Sequence, residues 1–283
     1  MNNMEKSILI TGCSSGIGQT VASGLRERGY RVFATARKPQ DVADLEQQGY
    51  ETCPLDLRDS ASIASALDHV LERTQGNLFA LFNNGAYGQP GAVEDLTREA
   101  LREQFETNLF GWHELTCQVI PVMRRQGYGR IIQNSSILGY MTLPYRGAYV
   151  ASKYALEGLS DTLRLELAGS GIHVVLIEPG PIESRFRANA LAKWREHVDP
   201  EQSYHRDHYL SMLERLRKPG PAAPFTLPPE AVLKKVIHAL ESPRPRIRYP
   251  VTFPAHLFAL LRRILTGRGM DRVLMRVSGS GRR

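Results

Sequence analysis

A doubly wound α/β fold, with a seven-stranded parallel sheet and helices on both faces, is the architecture this 283-residue sequence predicts. Two observations carry that reading. Short apolar runs rich in β-branched residues alternate along the chain with longer segments of helical period, the signature of βαβ units. A cluster of glycines also stands between the first such run and the first helical segment, where a strand must turn directly into a helix. Hydrophobic residues make up 42% of the chain and charged ones 23%, a composition that supports a large core and excludes disorder as the main state.

β-branched enrichment predicts strands at residues 7–11, 31–36, 51–55, 78–82, 130–134, 173–178 and 246–251, and helical periodicity predicts helices at about 17–28, 40–47, 59–74, 98–125, 148–167 and 230–240. Crossovers of that length suit a single domain, and neither an internal repeat nor a linker divides it. Two regions break the alternation. Residues 184–227 follow the sixth strand, are polar with Phe186, Trp194, Tyr204 and Tyr209 scattered among them, and end in a proline-rich stretch from Lys218 to Pro224. Long inserts after strand ends in such sheets cover the ligand crevice. Farther on, Leu257, Phe258, Leu260, Leu261, Ile264 and Leu265 recur at helical spacing beside Arg262 and Arg263, predicting an amphipathic helix. The expected organisation is therefore a domain over residues 1–253 and a basic amphipathic extension over 254–283.

The chain carries net +7, but the excess is local. Residues 241–283 hold ten arginines against Glu241 and Asp271, whereas residues 1–240 are close to neutral. A nucleic-acid binder spreads a basic face through its folded domain, so no nucleic-acid partner is expected. The tail helix is expected to pack on the domain as a lid or subunit contact, with peripheral contact to a membrane surface as the alternative. Cys13, Cys53 and Cys117 form no Cys-x-x-Cys pair, and the segment before Ser7 has no apolar core of a signal peptide; free thiols and a cytoplasmic location are the expectation.

The glycine cluster is Thr11-Gly-Cys-Ser-Ser-Gly-Ile-Gly18, opening a helix closed by Gly29. Missing side chains at Gly12, Gly16 and Gly18 let backbone approach a pyrophosphate, while the helix start offers unpaired N–H groups and the positive end of its dipole. Ser14, Ser15 and Ile17 lie in the same loop. The spacing is G-x-x-x-G-x-G, not the generic G-x-G-x-x-G. Taken with Asn83-Asn84-Gly85 after the fourth strand and Tyr149-Val-Ala-Ser-Lys153, it resembles the single-domain branch of the short-chain dehydrogenase/reductase family, over about residues 7–184.

That resemblance implies a Rossmann-like fold, a nicotinamide dinucleotide cofactor and a catalytic set of Asn108, Ser136, Tyr149 and Lys153. Tyr149 and Lys153, four apart, share one helix face. An ammonium there lowers a phenol pKa that is ordinarily near ~10, which suits Tyr149 as proton donor in carbonyl reduction and base in alcohol oxidation. Ser136, with Ser135 as its adjacent alternative, is where the family places a hydroxyl for the substrate oxygen. Asn108 is where it places a residue holding a water in a relay to Lys153. Pro179, Ile182 and Ser184 resemble the segment lying against the nicotinamide, with Ser184 where threonine is usual. Asp56 and Leu57 resemble the segment holding the adenine. Asn83 and Gly85 match a motif usually written Asn-Asn-Ala-Gly, here with its last two residues exchanged.

At the end of the second strand no carboxylate follows the glycines at the distance that binds ribose hydroxyls. Arg37 and Lys38 stand there instead, which favours NADP(H) over NAD(H). His205 and His208 flank Asp207 without a ligand set, so no metal is expected.

The expected function is hydride transfer between NADP(H) and a carbonyl or alcohol, and the resemblance implies a homo-oligomer. The runs Phe33-Ala-Thr-Ala-Arg37, Leu143-Pro-Tyr-Arg-Gly-Ala-Tyr149 and Arg248-Tyr-Pro-Val-Thr-Phe-Pro254 resemble the branch with 17β-hydroxysteroid and retinol dehydrogenases and bacterial aldehyde reducers, which implies a small apolar substrate. The rival reading is a non-catalytic NADP(H)-binding regulatory or redox-sensing protein of the same fold.

Overall fold

Seven parallel strands pair in the order β3-β2-β1-β4-β5-β6-β7, namely β1 (Ser7–Ile10), β2 (Arg31–Ala36), β3 (Glu51–Pro54), β4 (Ala80–Asn83), β5 (Gly129–Asn134), β6 (Ile172–Glu178) and β7 (Arg248–Pro250). The computed structural model describes residues 6–217, 220 and 223–278. The order reverses between β1 and β4, so the loops leaving these two strands diverge and open a crevice at the C-terminal edge of the sheet.

Because successive strand residues point to opposite faces, the sheet builds two cores. Ile8, Ile10, Val32 and Ala34 meet α1 (Gly16–Glu27), α2 (Pro39–Gln47) and α9 (Glu230–Glu241) on one side. Leu9, Phe33 and Ile131 meet α3 (Ser60–Arg73), α5 (Gly111–Gln126) and α6 (Gly147–Glu166) on the other. Asp59 caps α3 by accepting from the Ala61 amide, and Gly127 at φ 74° closes α5 in the left-handed region that favours glycine.

Three expectations change in detail. The single helix foreseen over 98–125 is α4 (Arg98–Phe105), a π turn at Glu106–Phe110, and α5. An extra residue in one turn keeps the apolar period nearly intact, so periodicity cannot show it. The insert is not merely a covering loop. It folds α7 (Phe186–His197) and α8 (Arg206–Arg217) around a small core of their own, in which Trp194, Val198, Tyr209, Met212 and Leu216 pack on Ala92. The tail adds two helices, α10 (Phe253–Ile264) and α11 (Gly267–Ser278). Phe258 and Leu274 are buried against Tyr140 and Met141, and the Tyr140 hydroxyl donates to the Ala255 carbonyl at 2.6 Å. No helix among the described residues is long and apolar enough to cross a membrane.

Candidate active site

The β1–α1 loop is held open by backbone contacts that leave no room for side chains. Gly12 has φ +72°, and a Cβ there would stand 2.6 Å from Gly85 Cα; one on Gly18 would stand 2.2 Å from the Gly12 carbonyl oxygen. Thr11 Oγ1 accepts from the Asn84 and Gly85 amides, both at 2.8 Å, and the Asn84 side chain donates to the carbonyls of Thr11 and Gly12. Gly85 rather than alanine at this point therefore lies directly against Gly12. At the start of α1, Ser15 is in extended conformation, its side chain makes no cap hydrogen bond, and the first turn carries no acid. The uncapped amides of that turn form an anion site. The glycine cradle and the uncapped helix start together fit a dinucleotide pyrophosphate. Cys13, inside the loop, is buried, donates to the Ile10 carbonyl and has its thiol pushed up to about 12 by burial, so it fills space rather than reacts.

The crevice is about 1390 Å³. Gly12, Ser14, Ser15, Gly16 and Ile17 line its floor, Gly85, Pro179, Ile182 and Ser184 its middle, and Ser136, Tyr149 and Lys153 its far wall. Lys153 is 1% exposed and Tyr149 9%. The Lys153 ammonium donates to the Asn134 carbonyl at 2.8 Å and sits 4.0 Å above the Trp112 ring, whose Nε1 donates to the Gly85 carbonyl. Burial lowers the Lys153 pKa to about 7, with the Glu157 carboxylate opposing it; against the expected lowering by the ammonium, burial raises that of Tyr149 to about 12, with a hydrogen bond to Ser136 opposing it. Ser136 is thus the serine that meets the phenol. Its oxygen also accepts from the Leu138 amide at 3.1 Å, which fixes its rotamer.

The remaining expected residues lie elsewhere. Asn108 is buried on the π turn, but its side-chain amide is taken up by Tyr87: Oδ1 accepts from the Tyr87 amide at 3.2 Å and Nδ2 donates to its carbonyl at 2.8 Å. It pins a loop rather than pointing into the crevice. Asn83 turns away from the crevice, as the residue before Asn84 on a strand must, and donates to Thr116 and Gln133 in the buried layer. Asp56 pairs with Arg58 at 3.0 Å at the end of β3; Arg58 and, more distantly, Arg37 hold its carboxyl below the usual range, against the opposing effect of burial. Leu57 is buried against Gly111, where a Cβ would meet the Leu57 carbonyl at 1.9 Å. Neither Asp56, Leu57 nor Arg37 lines the crevice itself.

Sequence reasoning missed several residues. Asn84 organises the glycine loop, Trp112 underlies Lys153 one helical turn after Asn108, and Arg58 adds a second cation near Arg37. Phe186 packs edge-on to Tyr149 with ring centroids 5.3 Å apart. Leu257, Phe258, Leu261 and Val273 bring α10 and α11 into the wall of the crevice. The Asn84 and Arg58 signals lay beside motifs already noted; the others depend on tertiary packing alone. Glu103, Glu196 and His197 are the one group of metal-ligand type among the described residues, and Lys193 occupies it by pairing with both carboxylates at 2.7 and 2.8 Å.

Fold and site together define a nicotinamide-dependent oxidoreductase acting on CH–OH or carbonyl groups. The family model for short chain dehydrogenases matches residues 6–195, and the chain belongs to that family. It is 44% identical over 271 residues to YbbO, an uncharacterized oxidoreductase of Escherichia coli, covering 96% of this chain and 94% of that one. It is 34% identical over 266 residues to human 17-beta-hydroxysteroid dehydrogenase type 1, covering 87% of this chain and 77% of the relative. A short-chain dehydrogenase from Streptomyces avermitilis superposes along the full length of both chains with a TM-score of 0.77 at 27% identity.

Proposed function

We propose that this protein is an NADP(H)-dependent oxidoreductase of apolar aldehydes, ketones or the matching alcohols, with Tyr149 as the proton-transfer residue. When bound, the nicotinamide cofactor supplies or accepts the hydride. The observation that carries the proposal is the buried contact of the Tyr149 phenol with Ser136, one helical turn from the Lys153 ammonium, in a crevice whose outer wall is apolar.

In reduction, Tyr149 gives its proton to the substrate oxygen as that oxygen gains charge, and Ser136 redirects its hydrogen bond to the same atom. The Lys153 ammonium stabilises the phenolate that remains, and Trp112 and the Asn134 carbonyl hold the ammonium in place. Asn108 fixes the Tyr87 loop opposite. Pro179, Ile182 and Ser184 orient the nicotinamide, with the Ser184 hydroxyl available to its carboxamide. Gly180 lets that segment lie against Thr252, since a Cβ there would stand 2.1 Å from Thr252 Oγ1.

Arg37, with Arg58 beside Asp56, supplies the positive end that a 2′-phosphate requires, and no acid at the end of β2 competes for ribose hydroxyls. Phe186, Leu257, Phe258, Leu261 and Val273 give the substrate end the character of an apolar chain or ring system.

The test is initial-rate consumption of NADPH and NADH with a panel of short, long-chain, retinoid and steroid carbonyls, alongside Tyr149→Phe. The expected result is NADPH-dependent turnover that favours long apolar substrates and is lost in the variant while NADPH still quenches its fluorescence. Equal rates in variant and wild type would remove Tyr149 from its role, and a preference for NADH would overturn the cofactor assignment.

A further inference from the structure

We propose that the mouth of the crevice docks on an anionic lipid surface through α10 and α11. One face of α10 is consumed by the fold: Ala255 is fully buried and Phe258 is 5% exposed. From the other side of the same helix project Phe253, Leu257, Leu260 and Ile264, exposed by 58, 37, 55 and 67%. Their i, i+4, i+7, i+11 spacing aligns them in a single stripe. Such a contiguous apolar stripe is not the scattered exposure normal for a surface.

Phe253 and Leu257 also line the crevice, and Phe225, 61% exposed, packs against Phe253 with ring centroids 5.1 Å apart and planes tilted by 44°. From α11, Val277 is likewise exposed and part of the crevice wall. The stripe is thus continuous with the rim through which a substrate enters.

The charges on the same two helices select the occupant. Arg268, Arg272 and Arg276 follow at i, i+4 and i+8 on α11, and Arg263 flanks the α10 stripe; all four are exposed, and among the described residues no carboxylate is in ion-pair distance of them. Like charges one turn apart disfavour a helix, so an uncompensated row of them is a cost that a polyanionic surface removes. A second copy of the same rim would bring arginines against arginines. A bilayer bearing anionic headgroups instead matches both features, taking the apolar stripe at the depth of the acyl boundary and the guanidinium groups at the phosphates. Lipid-dissolved carbonyls would then enter the crevice without crossing water, a consequence that rests on the substrate reading above.

The full-length protein is to be sedimented with vesicles of phosphatidylcholine alone and of equimolar phosphatidylcholine and phosphatidylglycerol, at low and high salt. Wild type is expected to bind the anionic vesicles at low salt and not the neutral ones. Leu260→Ser combined with Ile264→Ser, neither of which lines the crevice, is expected to weaken that binding about tenfold or more. Charge reversal at Arg268 and Arg272 is expected to abolish it. Turnover of a short water-soluble aldehyde without vesicles reads the proposed reaction separately, so failure of the surface and failure of the reaction are distinguishable. Absence of binding to anionic vesicles, equal binding to neutral ones, or a dimer in sedimentation that dissociates in the Leu260/Ile264 variant would each overturn the proposal.

Discussion

At the scale of single residues the proposed chemistry depends on two groups pushed in opposite directions by the same burial. Tyr149, raised to about 12, remains a protonated phenol throughout the neutral range, so it begins the reductive direction loaded. Lys153, lowered to about 7, keeps its ammonium only below that value in the protein without cofactor. If the ammonium is what stabilises the departing phenolate, kcat/KM for carbonyl reduction falls as pH rises through about 7, and a pH–rate profile checks it. Tyr149→Phe is expected to lower kcat by about 10²–10⁴-fold with NADPH affinity unchanged. The same Lys153 leaves a mark on stability. Its folded pKa lies below its unfolded value, so between about 7 and 10.5 the unfolded chain binds more protons and stability rises with pH. Lys153→Met is therefore expected to abolish its share of the rise in urea midpoint between pH 7 and 9, while an unchanged slope would show that the ammonium is not as desolvated as its 1% exposure implies.

At the scale of elements, the glycine loop and the closing helices act as floor and wall. Gly18→Ala would set a methyl 2.2 Å from the Gly12 carbonyl oxygen, backbone that has nowhere to move because Gly12 is itself against Gly85. Loss of NADPH binding, read by fluorescence, is expected even if the variant folds. On the wall, Leu274→Ala removes a buried anchor of α11 that does not itself line the crevice but packs behind Met141 and Phe258, which do. It is expected to cost about 2–3 kcal/mol locally and to raise KM for a long-chain aldehyde severalfold while leaving kcat for a short one unchanged. The strands and their helices were readable because β-branched runs and 3.6-residue periods are local signals. Tyr149, Lys153 and Ser136 were readable because their spacing repeats a family pattern, and the structure does gather these three. What was not readable shares one physical reason, since it depends on contacts between distant segments. Asn83 cannot be told from Asn84 until the strand's facing is known; the π turn hides inside a continuous apolar period; and the two helices of the insert rest on a core that Ala92 completes from another part of the chain.

At the scale of the whole molecule, one charge cluster ties the late elements together. Arg248 on β7 reaches Glu157 at 3.0 Å and Asp161 at 2.7 Å on α6, and Glu178 at 3.1 Å on β6. It thereby fixes the edge strand against both the helix that carries Tyr149 and Lys153 and the strand that delivers Pro179. Glu178 is almost wholly buried, and desolvation followed by repulsion from Glu157 raises its pKa to about 8, so Arg248 only partly offsets the cost of its charge. Burial raises Glu157 as well. Arg248→Met would leave Glu157 and Glu178 converging without a cation, while Asp161 keeps Arg164 at 3.4 Å. The expected loss is about 3 kcal/mol, the low end for breaking a buried pair because 37% of the Arg248 side chain remains in solvent. The sign of its pH dependence follows from the raised carboxylates. Between about 4.5 and 8 the folded state holds the Glu178 proton that the unfolded chain releases, so this group's contribution to stability declines as pH rises through that window. Removing the arginine raises the folded-state pKa values further, which widens the gap between variant and wild type at pH 8 and narrows it at pH 5. Urea denaturation of both proteins at the two pH values measures this directly. A gap that stays the same at both pH values would mean that Arg248 does not shift the titration of these carboxylates, and no gap at either value would mean that β7 is held by its ladder to β6 and by packing alone.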